Sequence, residues 1–521
     1  MKTIRTEALV IGSGFGAAAP ALRMAESGIE VLMIEKGPDI KPDRDFKQTS
    51  DPKYLLKYLK STSTDSIGFT YAEGLGGGSG FYEMVSLRAP SNVFDLTDET
   101  GRKYWPSSLT RSVFDPFYDR AEQMVNVEQI GDDEIPKTGV VFSLMMKNLG
   151  YSCDRARYAV KGCVGSGFCV SGCVFGAKQS LHMNYLPQAT AAGMKVLTDL
   201  EAIRIEPTRY EEEYLGSSRE NEHYRYAVIC KNTVSGEELR IVAHIVILGG
   251  GTVGTAKTLL RSREQMPYLS KHVGKNIAFN GSIKAAAILP DSFIDGDMLS
   301  GRSHPGMISY EFFDSHGMTV FAVKPLPLDV ASTAHLYYED ENRDPKTWGA
   351  ASVEVMKLYR RRMIILCALG LTRPSASFVQ TGEDTFEPRL ELSDEIRSYY
   401  KHGKELLHSI FTRNGCRVLV PQFVNGEGTE FADIHITTTH MIGSCRMSDS
   451  KKHGVCDYNG EVFDYPGLYI SDGAAIPTSL AVNSSLTILA NAERIGSHLA
   501  VKYGRRKITY NSNLYQIDMA K

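Results

Sequence analysis

The chain opens with a strand, a glycine-rich turn, a helix and a second strand, and this βαβ unit constrains the fold more than any other feature. Residues 7–37 read EALVIGSG, FGAAAPALRMAESG and IEVLMIEKG. Two apolar runs that flank a segment of helical period are typical of parallel strands joined by a crossover helix. The turn between them is GSGFGA, at residues 12–17. We therefore predict an α/β fold that begins with a Rossmann-like unit.

The turn has the residue types that a dinucleotide site requires. Gly12 allows a tight turn, Gly14 lets the backbone approach a pyrophosphate, and Ala17 is small enough for the helix to pack closely on the sheet. Glu35 ends the second strand, where a carboxylate can accept hydrogen bonds from ribose hydroxyls. We predict that Gly12, Gly14, Gly16 and Glu35 bind a dinucleotide. The alternative is a glycine turn that binds no ligand.

A second glycine run, EGLGGGSG, contains Gly76, Gly77 and Gly78. Glycines at this distance from the first turn would let the main chain lie against the other end of a long ligand. A mobile surface loop is the alternative interpretation.

Two later blocks repeat the strand-to-helix pattern, whereas the residues between them do not. RIVAHIVILGGG and TVGTAKTLLRS form one block, and GLYISDGAAIPTS and SLTILANAERIGSHLAVKYG form the other. The stretch 280–395 instead alternates polar and apolar residues, as in a mainly antiparallel sheet. We predict two interleaved domains and a C-terminal tail. The dinucleotide-binding domain is expected at 1–90, 191–282 and 438–505, the substrate domain at 91–190 and 283–437, and the tail at 506–521.

Composition excludes several classes of protein. Of 521 residues, 58 are basic and 61 acidic, which leaves a formal charge of -3 without the basic stripe that nucleic acid requires. The apolar run MIILCALGL is far shorter than a transmembrane span. The first strand begins too early for a signal peptide, and the nine cysteines are mostly scattered, so we expect a cytoplasmic protein.

The order of these motifs resembles the glucose-methanol-choline (GMC) family of FAD-dependent alcohol oxidoreductases. The resemblance extends from VIGSGFGAAAPALRMAESGIEVLMIEKG, through GLGGGSG, to HMIGSCRM and GLYISDGAAIPTSLAVNSSLTILANAERI. GGGTVGTAKTLL and MPYLSKHVGKNIAFNG are most similar to the bacterial sterol-oxidase branch. After GGGS, sterol-oxidase-like sequences tend to carry small and amide residues, whereas this chain has Phe81, Tyr82 and Glu83.

The resemblance implies FAD bound by both glycine turns and Glu35, with Asp472 and Gly473 beside the ribityl chain and the pyrophosphate. It also implies that His440 and Asn483 face the flavin ring. Alcohol oxidation needs such a pair, because a base takes the hydroxyl proton while an amide holds the substrate oxygen. His435 is an alternative base, and a helix cap is an alternative role for Asn483.

Three cysteines, Cys163, Cys169 and Cys173, lie in a C-x5-C-x3-C pattern. One interpretation is unligated thiols that pack or form a reversible disulfide. A second is a three-iron (3Fe-4S) cluster, because the spacing resembles a segment of multisubunit FAD sugar dehydrogenases of the same family. The third is zinc with Cys153 or His182 as a further ligand.

The sequence therefore predicts an FAD-dependent enzyme that oxidises a sterol, aliphatic or sugar alcohol to an aldehyde or ketone. Oxygen or an electron-transfer partner would accept the electrons. The alternatives are an FAD-containing lyase of the same fold and a catalytic subunit of a multisubunit dehydrogenase.

Overall fold

The computed structural model describes residues 1–208, 225–293, 298–299, 301–325, 336–340, 349–420 and 436–506. The strands in these ranges are β1 (Lys2–Ile11), β2 (Val31–Ile34), β3 (Leu59–Ser63), β4 (Ile67–Ala72), β5 (Val127–Gln129), β6 (Asp154–Arg155), β7 (Arg157–Ala159), β8 (Lys195–Leu197), β9 (Leu200–Pro207), β10 (Tyr226–Asn232), β11 (Glu238–Leu248), β12 (Ile283–Ile288), β13 (Met307–Ser309), β14 (Met318–Val323), β15 (Tyr337–Tyr338), β16 (Met363–Gly370), β17 (Ser377–Gln380), β18 (Phe386–Arg389), β19 (Arg417–Val420), β20 (Ile436–Thr438) and β21 (Leu468–Ile470).

The helices in the same ranges are α1 (Phe15–Glu26), α2 (Pro42–Asp45), α3 (Pro52–Tyr58), α4 (Arg111–Met124), α5 (Lys137–Asn148), α6 (Tyr185–Ala191), α7 (Gly251–Arg261), α8 (Phe313–His316), α9 (Ala350–Arg362), α10 (Asp394–Arg413) and α11 (Ser485–Tyr503). None of these described helices is long and apolar enough to cross a bilayer. All but the first residue of the predicted tail, 506–521, lies outside the described residues.

The first large sheet has seven strands in the order β8-β2-β1-β11-β10-β9, with β21 also paired to β11. Strand β1 lies parallel to β2 and β11, and β21 runs parallel to β11 as well. The last four residues of β1 are all buried, as expected for a parallel strand covered on both faces. Because the strands are parallel, the carboxyl ends of β1, β2, β11 and β21 meet at one edge of the sheet. The predicted α/β fold is confirmed.

Helices α1 and α11 pack against each other beside this sheet. A methyl group on Gly496 would lie 2.9 Å from the Cα atom of Pro20, so the helices approach closely where glycine leaves room. The contact also encloses an ion pair, in which Arg23 Nη2 lies 2.7 Å from Glu493 Oε1 and both side chains are buried. Tyr185 donates a third hydrogen bond to the same carboxylate. The buried charges are therefore paired and hydrogen-bonded.

The second seven-stranded sheet has the order β15-β19-β12-β16-β14-β13-β6 and antiparallel pairing throughout. The predicted antiparallel sheet is thus confirmed. Helix α10 covers one face, where a methyl group on Gly403 would meet Ile283 at 2.1 Å and Met318 at 3.0 Å. Residues next to these in sequence point to the opposite face. There Thr319 donates a hydrogen bond to the carbonyl of Ala481, which precedes α11.

Candidate active site

The first glycine turn leaves an open space at the start of α1. Gly12 has a φ of +95°, and a methyl group there would lie 2.4 Å from the carbonyl oxygen of Gly249. Gly14 is the N-cap of α1 and makes no side-chain capping bond. A methyl group on Gly14 would meet no protein atom within 4 Å. A helix N-terminus with free amides and open space before it is a favourable place for a phosphate group.

The second glycine turn lies against the first. A methyl group on Gly77 would be 3.0 Å from the Cα atom of Gly14, whereas one on Gly78 would meet nothing within 4 Å. Gly76 has a φ of +84° and packs against the ring of His182. The two turns therefore border one groove. Gly14 and Gly78 both face its open space.

Glu35 is fixed at the end of β2 by three donors. Ser13 donates to its Oε2 at 2.6 Å, and the amides of Gly37 and Gly74 donate to Oε1. Burial raises the pKa of Glu35, and these three hydrogen bonds oppose the increase. Carboxylate oxygens have further lone pairs, so the side chain retains capacity for a ribose hydroxyl.

Asp472 approaches the same turn from the end of β21. A methyl group on Gly16 would lie 2.2 Å from the Cα atom of Asp472, so this approach requires glycine. The Asp472 carboxylate accepts hydrogen bonds from Thr255 Oγ1 and from the amides of Gly251 and Ala474. Burial raises its pKa to about 6, against the effect of these bonds. Gly473 follows in a short 3-10 turn, Gly473–Ala475.

His440 and Asn483 come together although 42 residues separate them in sequence. Asn483 Nδ2 lies 3.2 Å from His440 Nε2. Burial, with the positive charge of Lys284, lowers the pKa of His440 to about 4, so the ring is neutral near pH 7. The Oδ1 atom of Asn483 is buried without a hydrogen-bond partner in the part of the chain described. A buried acceptor in that state is suited to a ligand hydroxyl.

The structure bears on one of the two alternative interpretations, a helix cap for Asn483, but not on the other, His435 as the base. Helix α11 begins at Ser485 with Ser484 as its N-cap, and the Asn483 amide contacts His440. His435 lies outside the described residues.

The side chains of the cysteine loop do not converge into a group of metal ligands among the described residues. Cys163, Cys169 and Cys173 are free and partly buried, and no group of three potential metal ligands exists within the described ranges. Burial raises the pKa of the Cys169 thiol. The three-iron cluster is therefore not supported by the geometry.

The residues proposed as further zinc ligands, Cys153 and His182, have other neighbours. Burial, together with the charges of Asp154 and Glu311, raises the pKa of the Cys153 thiol. The His182 ring packs edge-on against Phe46.

A lysine that sequence reasoning missed occupies the centre of the cysteine loop. Lys178 is 2% exposed, and its Nζ donates to the carbonyl of Gly80 at 2.8 Å and to that of Cys169. Burial lowers its pKa to about 8. The ammonium ties the loop to the end of the second glycine turn, beside the cysteines for which a cluster was one of three interpretations. In the sequence, the segment GAK after Cys173 is the feature that could have drawn attention to this lysine.

The sequence matches the two models described as GMC oxidoreductase over residues 7–280, which include both glycine turns, and over residues 379–492, which include His440 and Asn483. The chain therefore belongs to the GMC oxidoreductase family and is an FAD-dependent oxidoreductase that acts on CH–OH donors.

Individual relatives share this architecture at moderate identity. Cholesterol oxidase from Mycobacterium tuberculosis is 26% identical over 557 residues, covering 94% of this chain and 90% of the relative. The long-chain-alcohol oxidase FAO4B of Arabidopsis thaliana is 24% identical over 529 residues, covering 95% and 67%. Formate oxidase from Aspergillus oryzae has a similar fold, with a TM-score of 0.68 and 14% identity over 96% of this chain and 99% of that structure.

Proposed function

We propose that the protein oxidises an alcohol to an aldehyde or ketone, with His440 as the general base and Asn483 as the group that holds the substrate oxygen. The observation that carries the proposal is the 3.2 Å approach of Asn483 Nδ2 to His440 Nε2. It places a neutral imidazole beside an amide N–H that can donate to the substrate oxygen, which is the pair that removal of a hydroxyl proton requires.

The groove between the glycine turns fits FAD. Its open glycines, the free amides of α1 and the Glu35 carboxylate match a pyrophosphate and a ribose. Bound FAD supplies the acceptor for the hydride from the alcohol carbon. The residues that would hold it are Gly12, Gly14, Gly16, Glu35, Gly76, Gly77, Gly78, Asp472 and Gly473.

The proton step belongs to His440. Because its pKa lies near 4, the imidazole is unprotonated at neutral pH and can accept the hydroxyl proton at Nε2. Asn483 Nδ2 lies beside that nitrogen, so a substrate hydroxyl that displaces this direct contact could accept a hydrogen bond from the amide and give its proton to the ring. The carbon-bound hydrogen leaves with its electron pair as the carbonyl forms.

Molecular oxygen is the proposed electron acceptor. The support is the names of relatives, which are called cholesterol oxidase and long-chain-alcohol oxidase. After anaerobic reduction by an alcohol, admission of oxygen should restore the oxidised flavin and yield hydrogen peroxide. If only an artificial dye reoxidised the flavin, the proposed acceptor would be an electron-transfer partner instead of oxygen.

The test of the base is His440→Ala in the holoenzyme. Loss of a general base typically lowers the rate by about 10²–10⁴-fold. We expect the rate of anaerobic flavin reduction, followed by stopped-flow absorbance, to fall in that range with a panel of alcohols. The FAD content of the variant should remain that of the wild type.

His435→Ala is the matched control, because it removes the neighbouring histidine in sequence. It should reduce the flavin at the wild-type rate. Full activity in His440→Ala would remove His440 from the mechanism. A flavin that no alcohol reduces in the wild type would contradict alcohol oxidation altogether.

A further inference from the structure

Lys284 stands in the middle of the second sheet with its side chain exposed. It belongs to β12, which lies between β16 and β19, and it pairs with Cys367. Among the described residues, no hydrogen bond or ion pair engages its ammonium. The neighbouring Ile283 points to the covered face beneath α10. A charged side chain on the opposite face of a central strand therefore borders an open space.

That open space adjoins the candidate active site. Thr319, on the same face as Lys284, bonds the carbonyl of Ala481, two residues before Asn483. The Lys284 charge also acts on His440 and on Glu83. Glu83 follows the second glycine turn, whose Gly77–Gly80 segment borders the FAD groove. Lys284 is thus near enough for its charge to influence both His440 and the segment that leads from the groove.

Positive charge is in excess here. Glu83 is surrounded by Lys178, Lys284 and Lys324, and burial raises the pKa of its carboxyl, which disfavours the negative form. Lys178 and Lys324 have partners, since their Nζ atoms donate to main-chain carbonyls of the cysteine loop and its neighbours. Lys284 is the lysine of this group whose charge faces the open space.

We infer that the substrate is an alcohol that also carries a carboxylate, and that Lys284 binds this carboxylate. The inference rests on the proposed function, because it describes the substrate of the same site. A hydrocarbon chain or sterol ring beside Lys284 would strip water from an ammonium without giving it a partner, which is unfavourable. A carboxylate supplies the partner, and its negative charge is attracted by the local excess of lysines.

Binding is tested with a probe that cannot react. 2-Hydroxyisobutyrate has no hydrogen on its carbinol carbon, and 2-hydroxyisobutyramide is its uncharged counterpart. We expect calorimetry with the oxidised holoenzyme to show the acid binding at least about 10-fold more tightly than the amide, the range of a charge-assisted hydrogen bond. Lys284→Met should abolish the preference, and Lys284→Arg should keep it. FAD content and Tm of both variants show whether the fold is intact.

Turnover gives the second readout. Lactate, glycerate and gluconate should reduce the flavin anaerobically faster, at equal subsaturating concentration, than their methyl esters, and Lys284→Met should remove this difference. Reduction by uncharged alcohols but not by acids would overturn the carboxylate inference and leave alcohol oxidation standing. A preference for the acids that survives in Lys284→Met would overturn the role of Lys284. No reduction by any alcohol would overturn both proposals.

Discussion

At the scale of single residues, Ser13 connects three parts of the cofactor groove. Its hydroxyl donates to Glu35 Oε2 at 2.6 Å and accepts from the amide of Gly76 at 2.9 Å. The side chain therefore holds the ribose-side carboxylate and the second glycine turn in one position. In the G-x-G-x-x-G/A pattern this position is unspecified, so the pattern does not reveal the role.

Ser13→Ala should weaken FAD binding by about 10-fold or more, because a hydrogen bond to a charged group is lost and Gly76 loses its acceptor. Titration of the apoprotein with FAD, followed by flavin fluorescence, measures the change. Ser27→Ala is the control, since Ser27 is also buried but donates to Met24 at the other end of α1. Equal FAD affinity in the two variants would contradict the role of Ser13.

His440 gives a prediction for the pH dependence. A base acts in its unprotonated form, and burial together with Lys284 lowers the pKa of His440 to about 4. The rate constant of flavin reduction by an uncharged alcohol should therefore rise with pH through about 4 and be constant by pH 6. In Lys284→Met the rise should occur at higher pH, because a nearby positive charge is absent. A wild-type rise centred at pH 6.5 or above would be inconsistent with a desolvated His440.

At the scale of elements, the N-terminus of α1 depends on two glycines for different reasons. Gly16 lies against Asp472, where a methyl group would be 2.2 Å from Cα. Gly14 faces open space and has a φ of -75°, which any residue adopts. The same substitution at the two positions therefore separates a contact within the protein from a contact with the cofactor.

Gly16→Ala should destabilise the apoprotein, because α1 must move away from the segment after β21. Gly14→Ala should leave the apoprotein Tm within a few degrees of the wild type and should still weaken FAD binding, because the methyl group enters the groove. Thermal unfolding of the apoproteins and FAD titration distinguish the two effects. A Gly14→Ala protein that binds FAD as the wild type does would show that the cofactor does not approach this turn.

At the scale of the whole molecule, Asn280 joins the second sheet to the segment that carries Asn483. It is buried with a φ of +60°, and its Oδ1 accepts from the amides of Leu480 and Ala481, both at 2.8 Å. Its Nδ2 donates to the carbonyl of Val482 at 2.6 Å. The position of Asn483 is thus set from the turn that leads into β12, the strand that carries Lys284.

Asn280→Gly keeps the backbone conformation accessible and removes these three hydrogen bonds. We expect flavin reduction to slow by at least about 10-fold, since buried amides left without acceptors shift the segment. FAD content should be retained. Asn276→Gly is the matched control, because Asn276 also has a φ of +60° but contacts His272. In this control variant the flavin should be reduced at the wild-type rate. Similar rates in both variants would argue against the positioning role.

Much of the fold could be predicted because local patterns dictate it. The βαβ unit, the strand before α7 and the alternating stretch of the second sheet follow from apolar periodicity. The approach of the two glycine turns could also be predicted, since glycine is needed where main chains approach, whereas the binding of a cofactor there stays a prediction. The pairing of His440 with Asn483 came from family resemblance, because periodicity says nothing about contacts between distant segments.

The groups that sequence reasoning missed are charged side chains with unusual environments. Lys178 is an ordinary lysine in the sequence, and only the tertiary fold buries it under the cysteine loop. The cysteine spacing then indicated a cluster, because spacing reports the order of ligands but not whether their side chains converge. Lys284 likewise has no sequence signature, as its importance comes from the strand face on which it lies.

The pairing of β21 with β11 has a consequence for folding during synthesis. The first sheet and the groove at its edge combine β1, at Lys2–Ile11, with β21, at Leu468–Ile470. During synthesis, a ribosome must therefore release nearly the entire chain before the last parallel strand can dock and Asp472 can reach Gly16. Until β21 pairs with β11, the groove lacks Asp472, so this part of the site is completed by one of the last strands to be synthesised.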